Sequence, residues 1–580
     1  MEQILHTHRK KILLIILLVS AVYANSLLNG FIGDDYILIV DNSFYRSLEN
    51  FPRLFAKDYI VSGPGVIYNP GPDLGAGSVS YRPASNATYF LDFALWGLNP
   101  FGYHLTSFLF HLCNSLLVYG LIFTMSRQKI FSFLAALLFA VHPINSEAVC
   151  NIGYRADVIA AFFFLLAFLT FVDYDRSAGI WRSVLHGISA VFFLFAVFSK
   201  ESAIIFPLVI LAYDFYFPPR EGFRASSFLR RYSLFILVLI FYLYLYFFVF
   251  KNSTLNLASI SFDIQRFFLM AQIFFQYVLS LFLPTIVQIL PPFYTPTDQN
   301  GLDYKNIAAL MFFIFVLFIA IKTYKAEKTL SYFLLFFLIS FIPVSNIIPV
   351  TTPMAYRFMY LPMIGGCTIL AFLIEKMKDS IVLGAVSIRA KKLLKAGFIF
   401  LCMLLTISLN GFWRSNFTLA SQLTEHFPHS FSGHSILGIF YLKERLYEKS
   451  KEHLEKALEL GSQNVQIPYL LGLCFYKDNP DQAAFYFQEA IEGYPDYSSA
   501  YFQLGRLSIR KKNYSEAAAY FNKTMELTPQ FAAPYSYLLD IYLKSGETQK
   551  AEELFKKARI HLKDNSYLNK LQNTLKGTSL

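Results

Sequence analysis

The feature that most limits what this chain can fold into is a succession of long apolar runs separated by short, mostly basic segments. A basic flank at residues 6–11 leads into a run reaching Leu28. Further runs occupy 103–125, 130–141, 156–172, 184–198, 202–217, 232–250, 267–283, 307–321, 330–344, 358–374 and 396–412. A helix of about 20 apolar residues crosses a bilayer, and inside lipid the backbone must satisfy its own polar groups. Only 15% of the 580 residues are charged, against roughly a quarter in a soluble domain. The runs therefore predict an all-α, polytopic transmembrane bundle filling about residues 1–420. Several runs are short, and their ends are expected to continue into polar residues lining a cavity.

The basic residues set an orientation, because Lys and Arg collect in loops that stay in the cytoplasm. Arg9, Lys10 and Lys11 place the N-terminus there. Arg127 and Lys129, Arg176 and Arg182, and the cluster Arg220, Arg224, Arg230 and Arg231 fall on the same side. The late group Lys376, Lys378, Arg389, Lys391, Lys392 and Lys395 does so only if one run does not cross. Run 267–283, followed by Pro284, Pro291 and Pro292, is the natural re-entrant or interfacial element. About eleven spans and a C-terminus on the outer face are predicted. Val22-Tyr23-Ala24 has the look of a signal-peptidase site, but the spans that follow favour an uncleaved anchor. The net charge of +11 is thereby topological. No basic face on a soluble domain calls for nucleic acid. Cys113, Cys150, Cys367, Cys402 and Cys474 are scattered without a CxxC pair, so no zinc site or disulfide framework is signalled.

The first outer loop, 29–102, is long and rich in Gly, Pro, Ser and aromatic residues. Its rings, among them Tyr36, Phe44, Tyr45, Phe51, Tyr89, Phe90 and Trp96, predict a packed interfacial segment. From about residue 430 charge rises and a period of 34 appears: Ala483, Ala517 and Ala551, and likewise Phe487, Phe521 and Phe555. Leu437-Gly438, Leu471-Gly472 and Leu504-Gly505 recur in step, and Pro495 and Pro529 close two repeats. This is the tetratricopeptide pattern, with small residues where paired helices touch and an aromatic plugging the gap. About four repeats over 430–565 predict an α-solenoid whose concave groove binds protein or peptide, followed by a tail at 566–580.

Charges close to apolar runs are costly and tend to be functional. Asp34 and Asp35 follow the first run. Tyr81 and Arg82 precede the second. His142 and Glu147 follow the third, Arg155 and Asp157 open the next, Lys200 and Glu201 join two more, and Arg357 opens a late one. Under the orientation above all map to the outer face. A carboxylate there can act as general base on an acceptor hydroxyl. Arg and Lys can hold and neutralise a phosphate. A lipid-facing cleft admits a polyprenyl carrier. Plainer readings stand beside these. Asp34-Asp35 would cap the next helix, His142-Pro143 would end a span, and Arg155 would pair with Asp157. Lys200 with Glu201 would form a surface pair, and Arg82 would pair with a carboxylate. Arg357 would snorkel to the interface.

The set Asp34-Asp35, Tyr81-Arg82-Pro83, His142-Pro143 with Glu147, Gly153-Tyr154-Arg155-Ala156-Asp157, Lys200-Glu201 and Arg357 with Tyr360-Leu361-Pro362, together with the repeats, resembles one family. It is similar to the transmembrane and tetratricopeptide-repeat-containing O-mannosyltransferases of the C-type glycosyltransferase superfamily. The resemblance implies an inverting transferase with its site on the lumenal or periplasmic face. It implies a polyprenyl-phosphate sugar donor and the Ser/Thr hydroxyl of a protein as acceptor. Asp34 or Asp35 would be the catalytic base. Arg82, Arg155, Lys200 and Arg357 would contact the donor phosphate, with His142, Glu147, Asp157, Glu201 and Tyr81 elsewhere in the cleft. A divalent metal at Asp34-Asp35 stays open. The short repeat array and a low-complexity insertion at 63–80 point to a bacterial relative in the inner membrane, the endoplasmic reticulum membrane being the eukaryotic counterpart. Other functions compatible with the sequence are a membrane scaffold presenting its repeats and a transferase acting on a lipid or polysaccharide.

Overall fold

A computed structural model describes residues 2–55, 81–219, 222, 225–249, 264–285, 304–345, 347, 353–376, 388–462, 464–562 and 565–577. The 63–80 stretch, Arg220, Arg224, Pro291, Pro292 and Lys378 lie outside them. Among the described residues the secondary structure is helical and no strand occurs. The chain forms two compact units, one ending at Thr418 and the other beginning at Leu419.

In the first unit, seven helices are long and apolar enough to cross a membrane: His8–Leu28, Pro100–Ser126, Ile152–Arg176, Ile180–Ser199, Phe228–Val249, Tyr304–Lys322 and Leu393–Phe412. An eighth candidate is a broken one, in which Lys129–Val141 and Pro143–Cys150 meet at 46°. Arg266–Phe282 and Lys328–Val344 are shorter apolar helices. Two more runs become still shorter helices led by a 3₁₀ turn: Glu201–Ile205 before Phe206–Tyr216, and Tyr356–Met359 before Met363–Lys376. The chain is a multi-pass membrane protein. Run 267–283, expected as a re-entrant or interfacial element, is the helix Ile264–Phe282. An interruption falls at His142-Pro143.

That interruption has a local cause. Pro143 carries no N–H and its ring crowds the preceding turn. The groups left open at the break are taken up by side chains, as the interior of a membrane requires. Asn145 Nδ2 donates to the Phe139 carbonyl at 2.7 Å. Thr406 Oγ1 donates to the Val141 carbonyl at 2.7 Å. His142 Nδ1 accepts from the Ile144 N–H at 3.3 Å.

The first and last long helices of this unit are joined by amide side chains. Asn25 Nδ2 donates to the Ile407 carbonyl at 2.8 Å and Asn29 Nδ2 to the Asn410 carbonyl at 3.1 Å. Asn410 Nδ2 returns to the Val22 carbonyl at 2.9 Å. Close helix approach elsewhere depends on a glycine: a Cβ on Gly365 would stand 2.8 Å from the Phe333 carbonyl oxygen, so Met363–Lys376 can lie tightly on its neighbour.

The described parts of the 29–102 loop are not irregular. They fold into short helical turns at Tyr36–Val40, Ser43–Arg46 and Leu48–Phe55 and a helix at Pro83–Trp96. Pro83 occupies the first helical turn, where its missing N–H costs nothing. Phe44, Tyr45, Tyr89, Phe90 and Tyr103 form a buried core with Ile39, Leu54 and Ile152. The rings meet edge to face, Tyr45 and Phe90 at 5.2 Å, the arrangement their quadrupoles favour.

The second unit is a stack of helix pairs: Phe431–Lys443 with Tyr447–Glu459, Gln466–Phe475 with Pro480–Gly493, Ser498–Arg510 with Tyr514–Leu527, and Ala532–Lys544 with Thr548–His561. Phe487 and Phe521 are fully buried, and so are Ala483, Ala517 and Ala551. The paired glycines explain the period. A Cβ on Gly472 would stand 2.5 Å from the Phe487 ring, and one on Gly505 would stand 2.7 Å from Phe521. Asn479 and Asn513 cap the second helices of their pairs, accepting from Gln482 and Glu516 N–H groups. The segment expected as a tail contains a further helix, Asn565–Gly577, whose Leu568, Leu571 and Leu575 pack into the last core. It covers the apolar face that a terminal repeat leaves open.

Candidate active site

Asp34 and Asp35 lie where the chain leaves the first long helix, and their side chains have different surroundings. Asp35 is fully buried. Its Oδ2 accepts the Ile32 N–H at 3.0 Å and its Oδ1 accepts the Gly153 N–H at 2.7 Å. It makes no side-chain cap on the turn that follows, which corrects the capping reading. Burial pushes its carboxyl up, the two N–H groups pull it down, and the net position is about 7. Asp34 is half-buried, and among the described residues no hydrogen-bond donor reaches its carboxylate. Burial raises its carboxyl from the ordinary value, against the lowering charge of Arg357.

Arg357 lies in the turn Tyr356–Met359 before Met363–Lys376. Its Nη1 donates to Glu147 Oε1 at 2.5 Å and its backbone N–H to Glu147 Oε2 at 3.1 Å. The guanidinium lies over the Tyr154 ring at 3.9 Å and the Phe358 ring at 4.8 Å. The Phe358 ring also faces Lys200 Nζ at 5.1 Å. Lys200 donates to both oxygens of Asp157 at 2.6 Å. The next residue, Glu201, takes a bidentate fork from Arg82, Nη2 at 2.6 Å and Nε at 3.0 Å. Desolvation favours the neutral form of Glu201, but the charge and hydrogen bonds of Arg82, with Lys200 beside it, outweigh that and hold the carboxyl at about 2. Tyr81 is buried with its ring edge-on to Phe198 at 5.9 Å.

The structure thus brings Asp34, Asp35, Arg82, Glu147, Asp157, Lys200, Glu201 and Arg357 into one charged cluster at the ends of several helices. Tyr81 adjoins it through its neighbour Arg82, and the two remaining residues of the sequence set stand apart from it. Arg155 has zero exposure, and its guanidinium is occupied by Asp92, by Thr88 Oγ1 at 3.1 Å and by the Tyr103 carbonyl at 2.6 Å. That corrects the pairing, since Arg155 pairs with Asp92 rather than Asp157; its Nε finds no partner, but the side chain is closed off from solvent. His142 is likewise buried, with Nε2 on the Leu281 carbonyl at 3.2 Å. It ties the break in the bent helix to the helix Ile264–Phe282.

Asp92, Tyr154 and Phe358 belong to the cluster or brace it, yet the sequence reading gave none of them a role and named Tyr154 only inside a motif. Asp92 carried a signal, a lone carboxylate inside an apolar stretch. The two rings carried none, since nothing local marks which of many aromatics meets a cation. A second ionic group lies elsewhere: Arg231 Nη2 donates to Asp214 at 2.5 Å and Nη1 to Asp175 at 2.8 Å. One guanidinium there serves two carboxylates. Among the described residues no three His, Cys, Asp or Glu side chains converge as a metal-holding group.

Two tetratricopeptide-repeat family models match residues 475–531 and 508–575. Protein O-mannosyl-transferase TMTC3 of Mus musculus is 26% identical over 498 residues, 79% of this chain and 52% of that protein. The chain is related to the protein O-mannosyl-transferases. TMTC3 of Homo sapiens is 29% identical over 456 residues, 71% of this chain and 47% of that protein. TMTC1 of Homo sapiens is 34% identical over 203 residues, 33% of this chain and 22% of that protein. The chain spans about half the length of the TMTC3 proteins it matches.

Proposed function

We propose that the chain is a glycosyltransferase that moves a sugar from a polyprenyl-phosphate donor to a Ser or Thr hydroxyl of a protein. Mannose is the sugar that the relatives' names supply. The observation carrying this reading is the Asp34 carboxylate, free of hydrogen-bond donors among the described residues, beside Arg357 in a cluster that also holds Arg82 and Lys200.

Asp34 is the general base. Burial raises its basicity above that of an ordinary carboxylate, which favours accepting a proton. It removes the proton of the acceptor hydroxyl as that oxygen bonds to the sugar's anomeric carbon. The bond from that carbon to the phosphate oxygen breaks on the opposite side, and its electron pair leaves with the phosphate. Attack from that side inverts the anomeric centre. Arg82, Lys200 and Arg357 stabilise the charge that develops on the leaving phosphate. Asp35 holds the loop of its neighbour in place through Ile32 and Gly153, and Arg155 with Asp92 braces the same wall from behind. The repeats bind the acceptor or a partner protein. The site faces the lumen or periplasm, with the N-terminus cytoplasmic, in a bacterial inner membrane or the endoplasmic reticulum membrane.

The test is D34N in the full chain, assayed for transfer from a polyprenyl-phosphate mannose to a Ser/Thr peptide. The expected loss is about 10²- to 10⁴-fold with unchanged thermal stability. Full activity in D34N rejects the assignment.

A further inference from the structure

Three cations of the cluster are each closed by one carboxylate, and the three pairs differ in access. Side-chain exposures are 7% and 8% for Lys200 with Asp157 and 11% and 3% for Arg357 with Glu147. For Arg82 with Glu201 they are 25% and 41%. A phosphate arriving from outside the protein therefore reaches the Arg82 pair first. We infer that Glu201 is a displaceable counter-ion, which occupies the Arg82 guanidinium until the phosphate of the polyprenyl donor takes its place. The inference rests on the donor reading above.

The fork that Glu201 accepts uses the same two-point geometry in which a guanidinium binds phosphate oxygens. One ligand can replace the other without rebuilding Arg82. The replacement is a displacement and not a neutralisation, because Glu201 titrates at about 2 and stays charged. The neighbouring Lys200 need not move, since both oxygens of Asp157 hold it. Glu201 opens a 3₁₀ turn behind an extended residue, so its side chain can turn out while that anchor stays. The return stroke follows from charge. Sugar transfer converts a phosphodiester with one negative charge into a monoester carrying up to two, and Glu201 competes for Arg82 with that product.

The experiment measures binding of a polyprenyl monophosphate to the full chain in nanodiscs. E201Q is expected to bind roughly two- to fivefold tighter than the parent, the size of a half-exposed ion pair. R82Q is expected to bind more weakly, and the double variant R82Q/E201Q is expected to lose the gain. E201D keeps the charge on a shorter arm and loosens the fork, so a smaller gain is expected even where E201Q folds poorly. Parent binding with no gain in either Glu201 variant overturns the inference and leaves the donor reading standing. A parent and variants that all fail to bind the lipid overturn both.

Discussion

The N–H of Gly153 donates to Asp35 Oδ1 at 2.7 Å, across 118 residues of sequence. This bond fixes the loop after the first long helix to the start of the helix Ile152–Arg176, and it places Asp34 by placing its neighbour. The glycine leaves little slack. A Cβ there would stand 3.2 Å from Asp35 Oδ1 and 3.4 Å from Asn151 Oδ1.

G153A should therefore displace the Asp35 carboxylate by a few tenths of an ångström and move Asp34 with it. A ten- to hundredfold fall in kcat is expected, on the scale by which small misplacements reduce catalysis. Sugar transfer by the full chain checks it, with donor binding measured alongside and expected to change less.

Asp35 also gives the membrane unit a pH dependence. Its folded-state position near 7 lies above the ordinary 3.8. The folded chain therefore binds this proton more tightly than the unfolded chain does. That contribution is complete below about pH 4, declines as pH rises toward 7, and is gone above it. The thermal midpoint of the full chain should fall between pH 4.5 and 7 and then level. D35N, which carries no titrating carboxyl, should flatten that slope.

Arg155 and Asp92 form a pair without access to solvent. Removing one partner strands a buried charge and costs about 3–5 kcal/mol. D92N should lower the unfolding temperature in detergent and the yield of folded protein. R155Q/D92N should recover part of the loss, because no lone charge then remains.

In the repeat unit, G505A would press a methyl group to within 2.7 Å of the buried Phe521 ring. Overpacking of this kind costs about 1–3 kcal/mol. Limited proteolysis of the full chain should cut G505A faster within residues 498–527, while transfer to a short peptide that does not engage the repeats is unaffected.

What the sequence made legible follows from what is local. The repeats could be read because each conserves its own contacts: Gly472 meets Phe487, and Gly505 meets Phe521, at a fixed offset. The charged residues at helix ends stood out against an apolar background. Their pairing could not be read. Arg82 finds Glu201 and Arg357 finds Glu147, 119 and 210 residues away. Arg155 and Asp157 suggested each other by proximity, but residues two apart on a helix point in nearly opposite directions, and each took a distant partner. The bend at His142-Pro143 was marked by its proline. The shape of run 267–283 was not legible, because charge parity counts crossings and says nothing about backbone shape.

The amide seam between the first and last long helices sets an order of biosynthesis. Asn25 and Asn29 are made early, while their partners Ile407 and Asn410 lie 382 and 381 residues later. Until the ribosome has delivered the final helix, two amide side chains at the end of the first one lack their mates. This seam therefore closes only once the last membrane segment has been made.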